Sequence, residues 1–222
     1  MRSFALAFSA AIAMASLAAC TTTATVVSSS GSGPTVAQAQ AEPYNGPKQR
    51  IAIEPFEYRA ADKGAGVGAG MADMLTDSLF NTNKFIVVER DRLGAITAEQ
   101  DLADTGRFKK ETVAPKGELE GAQLLIRGSV TQFEPKCAGG SILIASTSEA
   151  CIAINLRIVD VKTGRVVNAT TVEATSANNG VGLLFTRTTL PIGLGAYSNT
   201  PMEKAIRQAI EKAVNHIAAT KV

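Results

Sequence analysis

The chain has 222 residues, 22 Lys plus Arg against 20 Asp plus Glu, and a formal net charge of +2. No basic run, no Trp and few aromatics argue against a nucleic-acid surface. A single His and three Cys leave too few side chains for a metal cluster or a histidine-dependent triad, so the composition points away from an enzyme and predicts no cofactor or metal.

In chain order, one basic residue, Arg2, precedes an apolar run from Phe4 to Ala19, and Leu17-Ala18-Ala19 stand before Cys20. This is the layout of a secretory signal over residues 1–19. Its cysteine resembles the end of a bacterial lipobox, which makes Cys20 the lipidation site and a membrane the first partner. As a helix the run reaches roughly 24 Å, short of the ~30 Å hydrocarbon core, so it is a poor transmembrane anchor. Thr21, where Asp would favour the inner membrane, implies the periplasmic side of the outer membrane. Residues 20–49, rich in Ser, Thr, Ala, Gly and Pro, are expected to be a flexible tether, and residues 50–222 one folded domain.

Ile51, Ile53 and Phe56 suggest a first strand, ended by Pro55. The run Gly64-Ala65-Gly66-Val67-Gly68-Ala69-Gly70 contains GxGxxA, with Glu89 about 20 residues on. The intervening Glu57 to Lys63 and the export signal argue against a dinucleotide site, and a mobile loop is expected instead. Met71, Met74, Leu75, Leu79 and Phe80 recur at helical spacing. Lys84–Glu89 reads as a strand, 91–103 as a helix with Asp91 a candidate cap, and 104–118 as a polar loop.

Leu124–Phe133 reads as a strand. Ile152, Ile154, Leu156 and Ile158 alternate with polar or small residues in another, and Lys162-Thr163-Gly164 turns the chain into a returning strand at 165–174. Cys137 and Cys151, an even pair in an oxidising compartment, are expected to form a disulfide. Thr200-Pro201-Met202-Glu203 is a capping box opening a helix whose stripe is Met202, Ile206, Ala209, Ile210, Ala213, Val214 and Ile217. His216, off that stripe, is expected to be solvated. The order β-α-β-α-β-β-β-α predicts an α/β (α+β) domain with a mixed sheet flanked by helices. Val181, Leu183, Leu184, Phe185, Leu190, Ile192 and Leu194 are many apolar residues for a loop and are expected to form a membrane or partner contact.

Several segments together resemble the CsgG/HfaB family of outer-membrane lipoproteins, which includes the curli secretion channel and a holdfast-anchoring protein. They are the lipobox at Cys20, Phe85-Ile86-Val87-Val88-Glu89-Arg90, Leu125-Ile126-Arg127-Gly128-Ser129-Val130, Ile152 to Gly164, and Tyr197-Ser198-Asn199-Thr200-Pro201. The resemblance implies a periplasmic α/β domain without covalent chemistry. It also implies two β-hairpin-like inserts per subunit that join an oligomeric barrel, and a constriction loop after the first strand. The expected function is secretion or assembly of curli type, in a homo-oligomer that exports or anchors extracellular fibre or adhesin subunits. The alternative is a module of the same fold that binds another envelope protein without forming a pore. The sequence departs from the family pattern in three places. Its Tyr58–Gly70 loop has one aromatic, its first insert (134–151) is short, and its second (175–199) is broken by Gly and Pro.

Overall fold

The computed structural model describes residues 23–26, 46–61, 64–142, 145–177 and 190–220. Cys20, Val181, Leu183, Leu184 and Phe185 lie outside the described residues. The strands are β1 (Thr23–Val26), β2 (Gln49–Ile53), β3 (Glu57–Tyr58), β4 (Phe85–Val87), β5 (Leu124–Ile142), β6 (Ala145–Asp160) and β7 (Val166–Ala177). The helices are α1 (Val67–Asn81), α2 (Leu93–Ala103) and α3 (Pro201–Ala219). The sheet runs in the order β1-β7-β6-β5-β2-β4, with β3 beside β5. β2 is parallel to β4 and β5, and β1, β7, β6 and β5 are antiparallel neighbours, so the sheet is mixed as the sequence predicts.

Period-two alternation makes the sheet two-faced. Leu124, Ile126, Val130, Ile152, Ile154, Leu156, Ile158, Val172 and Ala174 are buried under the helices. Arg127, Arg157 and Glu173 are exposed on the other face. Arg127 and Arg157 are directly opposite each other, a repulsive pairing. Glu54 offsets it, its carboxylate accepting from Arg127 Nε at 2.8 Å.

α3 is the main cover. Its whole predicted stripe is buried, and it packs on β6, β7 and α1. Its capping box is formed: Thr200 Oγ1 accepts from Glu203 N, and Glu203 accepts from Asn199 N. The Glu203 carboxylate also holds the nearly buried Arg207 one turn on, at 2.8 Å. The turn after β6 closes as predicted, with Asp160 Oδ1 accepting from Thr163 N and Gly164 at φ 69°.

Four expectations change. Thr23–Val26, placed in the tether, pair with Val172–Thr175 of β7. Edge pairing needs only backbone groups and β-tolerant residues, and the segment TATV supplies both without an apolar pattern. The glycine run is not a loop throughout, because α1 begins at Val67 and takes in Gly68 and Gly70. Glu89, not Asp91, meets the start of α2, its Oε1 accepting from Arg92 N at 3.1 Å. His216 is half-buried and bonded to Asn168 Oδ1 at 2.9 Å. Asn168 Nδ2 donates to Thr220, so its oxygen faces the ring and Nε2–H is the donor.

Burial pushes the His216 imidazole below its ordinary pKa. The unfolded chain therefore binds this proton more readily, and stability falls as pH drops below about 6.5, the ordinary imidazole value. Glu211, raised by burial, acts with opposite sign. Urea unfolding of the wild type and of His216→Gln between neutral and mildly acid pH is expected to show a shallower loss in the variant; parallel curves would contradict the assignment.

Candidate interaction surfaces at the hairpin end of the sheet

β5 and β6 continue past the helical layer as one hairpin. Its ladder is interrupted twice. Thr131 is an extra residue between the pairs Val130↔Ile154 and Gln132↔Ala153. Pro135, Lys136 and Cys137 then oppose Ala150 alone, between Glu134↔Cys151 and Ala138↔Glu149. Pro135 lacks an amide donor, which suits it to a bulge. Cys137 and Cys151 are joined there as a disulfide, with Cα atoms 5.7 Å apart. β7 follows β6 as far as Ala177, opposite Glu149. Among the described residues, Gly139–Ile142 of β5 and Ala145–Ser148 of β6 pair beyond that level.

The base of this hairpin rests on aromatic rings. Phe133 meets Tyr197 edge-on at 4.9 Å and Tyr58 at 6.2 Å. Tyr58 ends β3, and Tyr197 belongs to the 3-10 turn Gly195–Tyr197 before α3. Three chain segments are thus fixed to one another at this end.

The glycine run locks the same corner. A Cβ on Gly68 would lie 1.9 Å from the Phe56 carbonyl oxygen, and Phe56 N donates to the Gly68 carbonyl at 3.2 Å. Gly193, at φ 96°, would place a Cβ 2.4 Å from the Gly66 carbonyl oxygen. The space a phosphate would take in a GxGxxA loop is filled by the chain's own backbone at Phe56 and Gly193.

The apolar segment is therefore divided. Leu190 and Leu194 are in the core, at 9% and 0% exposure, rather than on a contact surface. The Gly66–Gly193 approach draws the turn inward and seats Leu194 against Gly70. Ile192 is left 95% exposed. With Leu190 and Pro191 it lines a groove whose other walls carry Asp73, Asp77, Glu89, Asp91 and one cation, Arg92. Burial raises the Asp73 carboxyl above its usual range, and Arg92, 4.0 Å away, works against that shift. The sequence signal that separates Leu194 from Ile192 is the glycine between them, legible only once Gly66 is known to face it. α2, beyond this groove, buries none of its residues.

Among the described residues no group of His, Cys, Asp and Glu could hold a metal ion, and no helix is long and apolar enough to cross a membrane. The arrangement offers surfaces: a projecting cross-linked hairpin, an exposed Ile192 over an acidic groove, and an uncovered sheet face.

The chain matches the family model described as "Curli production assembly/transport component CsgG" over residues 33–222, and it belongs to the CsgG family. No curated protein sequence matches it. Solved structures similar to it include a hypothetical protein from Chlamydia trachomatis, with 12% identity and a TM-score of 0.48, covering 78% of this chain and 96% of that one. The PelC dodecamer from Paraburkholderia phytofirmans is similar at 12% identity and a TM-score of 0.43, covering 87% and 96%. The LpoB C-terminal domain from Escherichia coli is similar at 14% identity and a TM-score of 0.35, covering 62% and 90%.

Two outcomes are expected at this corner. Gly68→Ala overpacks against backbone that cannot rotate away and is expected to cost about 1–3 kcal/mol in denaturant unfolding. The Cys137→Ser/Cys151→Ser pair opens a closure with a sequence separation of 14, and the chain-entropy value for such a loop is about 3 kcal/mol. Calorimetry of the oxidised protein against this variant checks it; an unchanged midpoint would count against a structural role for the cross-link.

Proposed function

We propose that the protein is a lipoprotein, acylated at Cys20 and held on the periplasmic side of the outer membrane. There it acts as a non-enzymatic, homo-oligomeric component in the export or anchoring of extracellular fibre or adhesin subunits. The observation that carries this reading is the family match over residues 33–222, on a sheet whose β5–β6 hairpin projects past its core. Ile192 and the acidic groove beneath it are the surface through which the protein meets another subunit or an envelope partner.

A second reading keeps the fold, the anchor and the partner surface but removes the pore. Hairpin length favours it. Past the bulge the β5 strand has five residues, Ala138–Ile142, whereas a bilayer-crossing strand needs about 9–11. Mass spectrometry of the mature protein, followed by light scattering in mild detergent and conductance in planar bilayers, separates the readings. An acylated Cys20, a ring of many subunits and discrete conductance steps are expected for export through the protein itself. An acylated oligomer silent in bilayers favours the second reading, and a monomer sinks the oligomeric assignment.

A further inference from the structure

The open face of the sheet carries a charge arrangement that the domain itself does not resolve. Arg127 and Arg157 stand directly opposite each other, and Arg127 bonds Glu54 at 2.8 Å. Arg157 has no ion pair among the described residues. Glu173, on the same face, is four residues along β7 from Ala169, the partner of Arg157, or about 13 Å away. Like charges directly opposite in a sheet are destabilising. An arginine kept there without a counter-ion therefore points to an anionic group outside the domain. Two residues along both strands from the arginines, Leu125 pairs with Val159, and both are half-buried. The patch is thus a basic pair next to an apolar pair.

The helical layer carries the reverse arrangement. Ile192, 95% exposed, stands with Leu190 and Pro191 on one wall of its groove. The other walls hold Asp73 and Asp77 of α1 and Glu89 and Asp91 after β4, with Arg92 as the cation. Arg92 is 4.0 Å from Asp73 and from Asp91, so four carboxylates share one guanidinium. Asp77 is exposed and takes no part in those two pairs. An apolar residue beside an acidic strip is the counterpart of an apolar pair beside a basic one.

We infer that the occupant of the open sheet face is the helical layer of a second copy of this chain. Ile192 of one copy seats on Leu125 and Val159 of the next, and the acidic groove beside it receives Arg157 and Arg127. The two patches are different surfaces of one domain, so the contact is head-to-tail, and repeating it closes a ring or extends a filament. Charge complementarity of this kind sets register and partner choice more than affinity, and the exposed isoleucine supplies the apolar anchor. The inference rests on the homo-oligomeric reading above and goes beyond it by naming both halves of the contact.

Sedimentation velocity of the mature full-length chain in mild detergent tests it. Arg157→Glu and Asp77→Arg each place like charges across the contact and are expected to weaken association by about tenfold or more. Ile192→Ser is expected to weaken it in the same direction. Arg157→Glu also separates lost contact from lost fold, because a carboxylate opposite Arg127 relieves the repulsion within the sheet. Its unfolding midpoint is expected to be no lower than that of the wild type while its assembly is lost. An equimolar mixture of Arg157→Glu and Asp77→Arg is expected to regain oligomers, since the swapped charges meet in one contact and the native charges in the next.

Oligomers that persist in both charge variants, or a mixture that stays dissociated, overturn this contact and leave the homo-oligomeric reading standing. An unfolding midpoint of Arg157→Glu that falls together with its assembly overturns the placement of Arg157 in a contact between copies. A wild-type chain that is monomeric at every concentration overturns the homo-oligomeric reading and this inference together.

Discussion

The apolar stripe of α3 runs the length of the helix, and it can be buried only against a sheet several strands wide. β6 and β7 supply that surface, with Ile152, Ile154, Leu156, Val172 and Ala174 facing Ile206, Ile210, Ala213 and Val214 within one core. Each fully buried side chain of this size contributes about 1.5–3 kcal/mol by transfer, so this interface outweighs any cap or ion pair in the molecule. It also settles where polarity can go. The helices cover one face of the sheet, and Arg127, Arg157 and Glu173 lie on the other, where Glu54 moderates the Arg127–Arg157 opposition. The strands that carry the interface are free to run on past the helices, because nothing on the packed face ties strand length to helix length.

Where the helical layer ends, other devices take over. A two-stranded ribbon in water is marginal on its own. Here β7 accompanies β6 to Glu149, a disulfide joins Cys137 to Cys151, and Phe133 is held between Tyr58 and Tyr197. The glycine contacts at Phe56 and Gly193 bring the start of α1 and the turn before α3 to the same corner. Order is thus carried outward from the core along the hairpin, whose ladder continues to the pair Ile142↔Ala145.

What could be read from the sequence follows from which forces write themselves into local patterns. The α3 stripe with its capping box, the alternation in β6 and the Lys162–Gly164 turn are local, and each falls where the pattern puts it. The mixed α+β class follows from their order. β1 leaves no such mark, because an edge strand held by backbone hydrogen bonds needs no apolar side chains. The glycine run reads as a loop because glycine is a poor helix former. Its real constraint is the Phe56 carbonyl and Gly193, one about a dozen residues before it and the other over a hundred after. Leu190, Ile192 and Leu194 look alike by composition, and a tertiary contact alone separates two core residues from one exposed one. The cysteine pair was legible because compartment and parity both pointed to it.

The relation between strand length and membrane bears on the barrel that the family resemblance implies. A barrel strand must alternate lipid-facing and lumen-facing residues over about 9–11 positions, with neighbours paired along both edges. The hairpin here has five paired residues on β5 past its bulge. Lengthening it from below is blocked, because the disulfide and Pro135 fix a bulge at the point where a longer strand would need an unbroken ladder. A covalent clamp at that position suits a rigid projection seated on the core and works against a strand that must slide or pair anew in lipid. The same backbone economy applies at the other edge of the sheet. By taking up β1, β7 gains a partner for Val172–Thr175, so that part of its edge is covered by the molecule's own N-terminal segment.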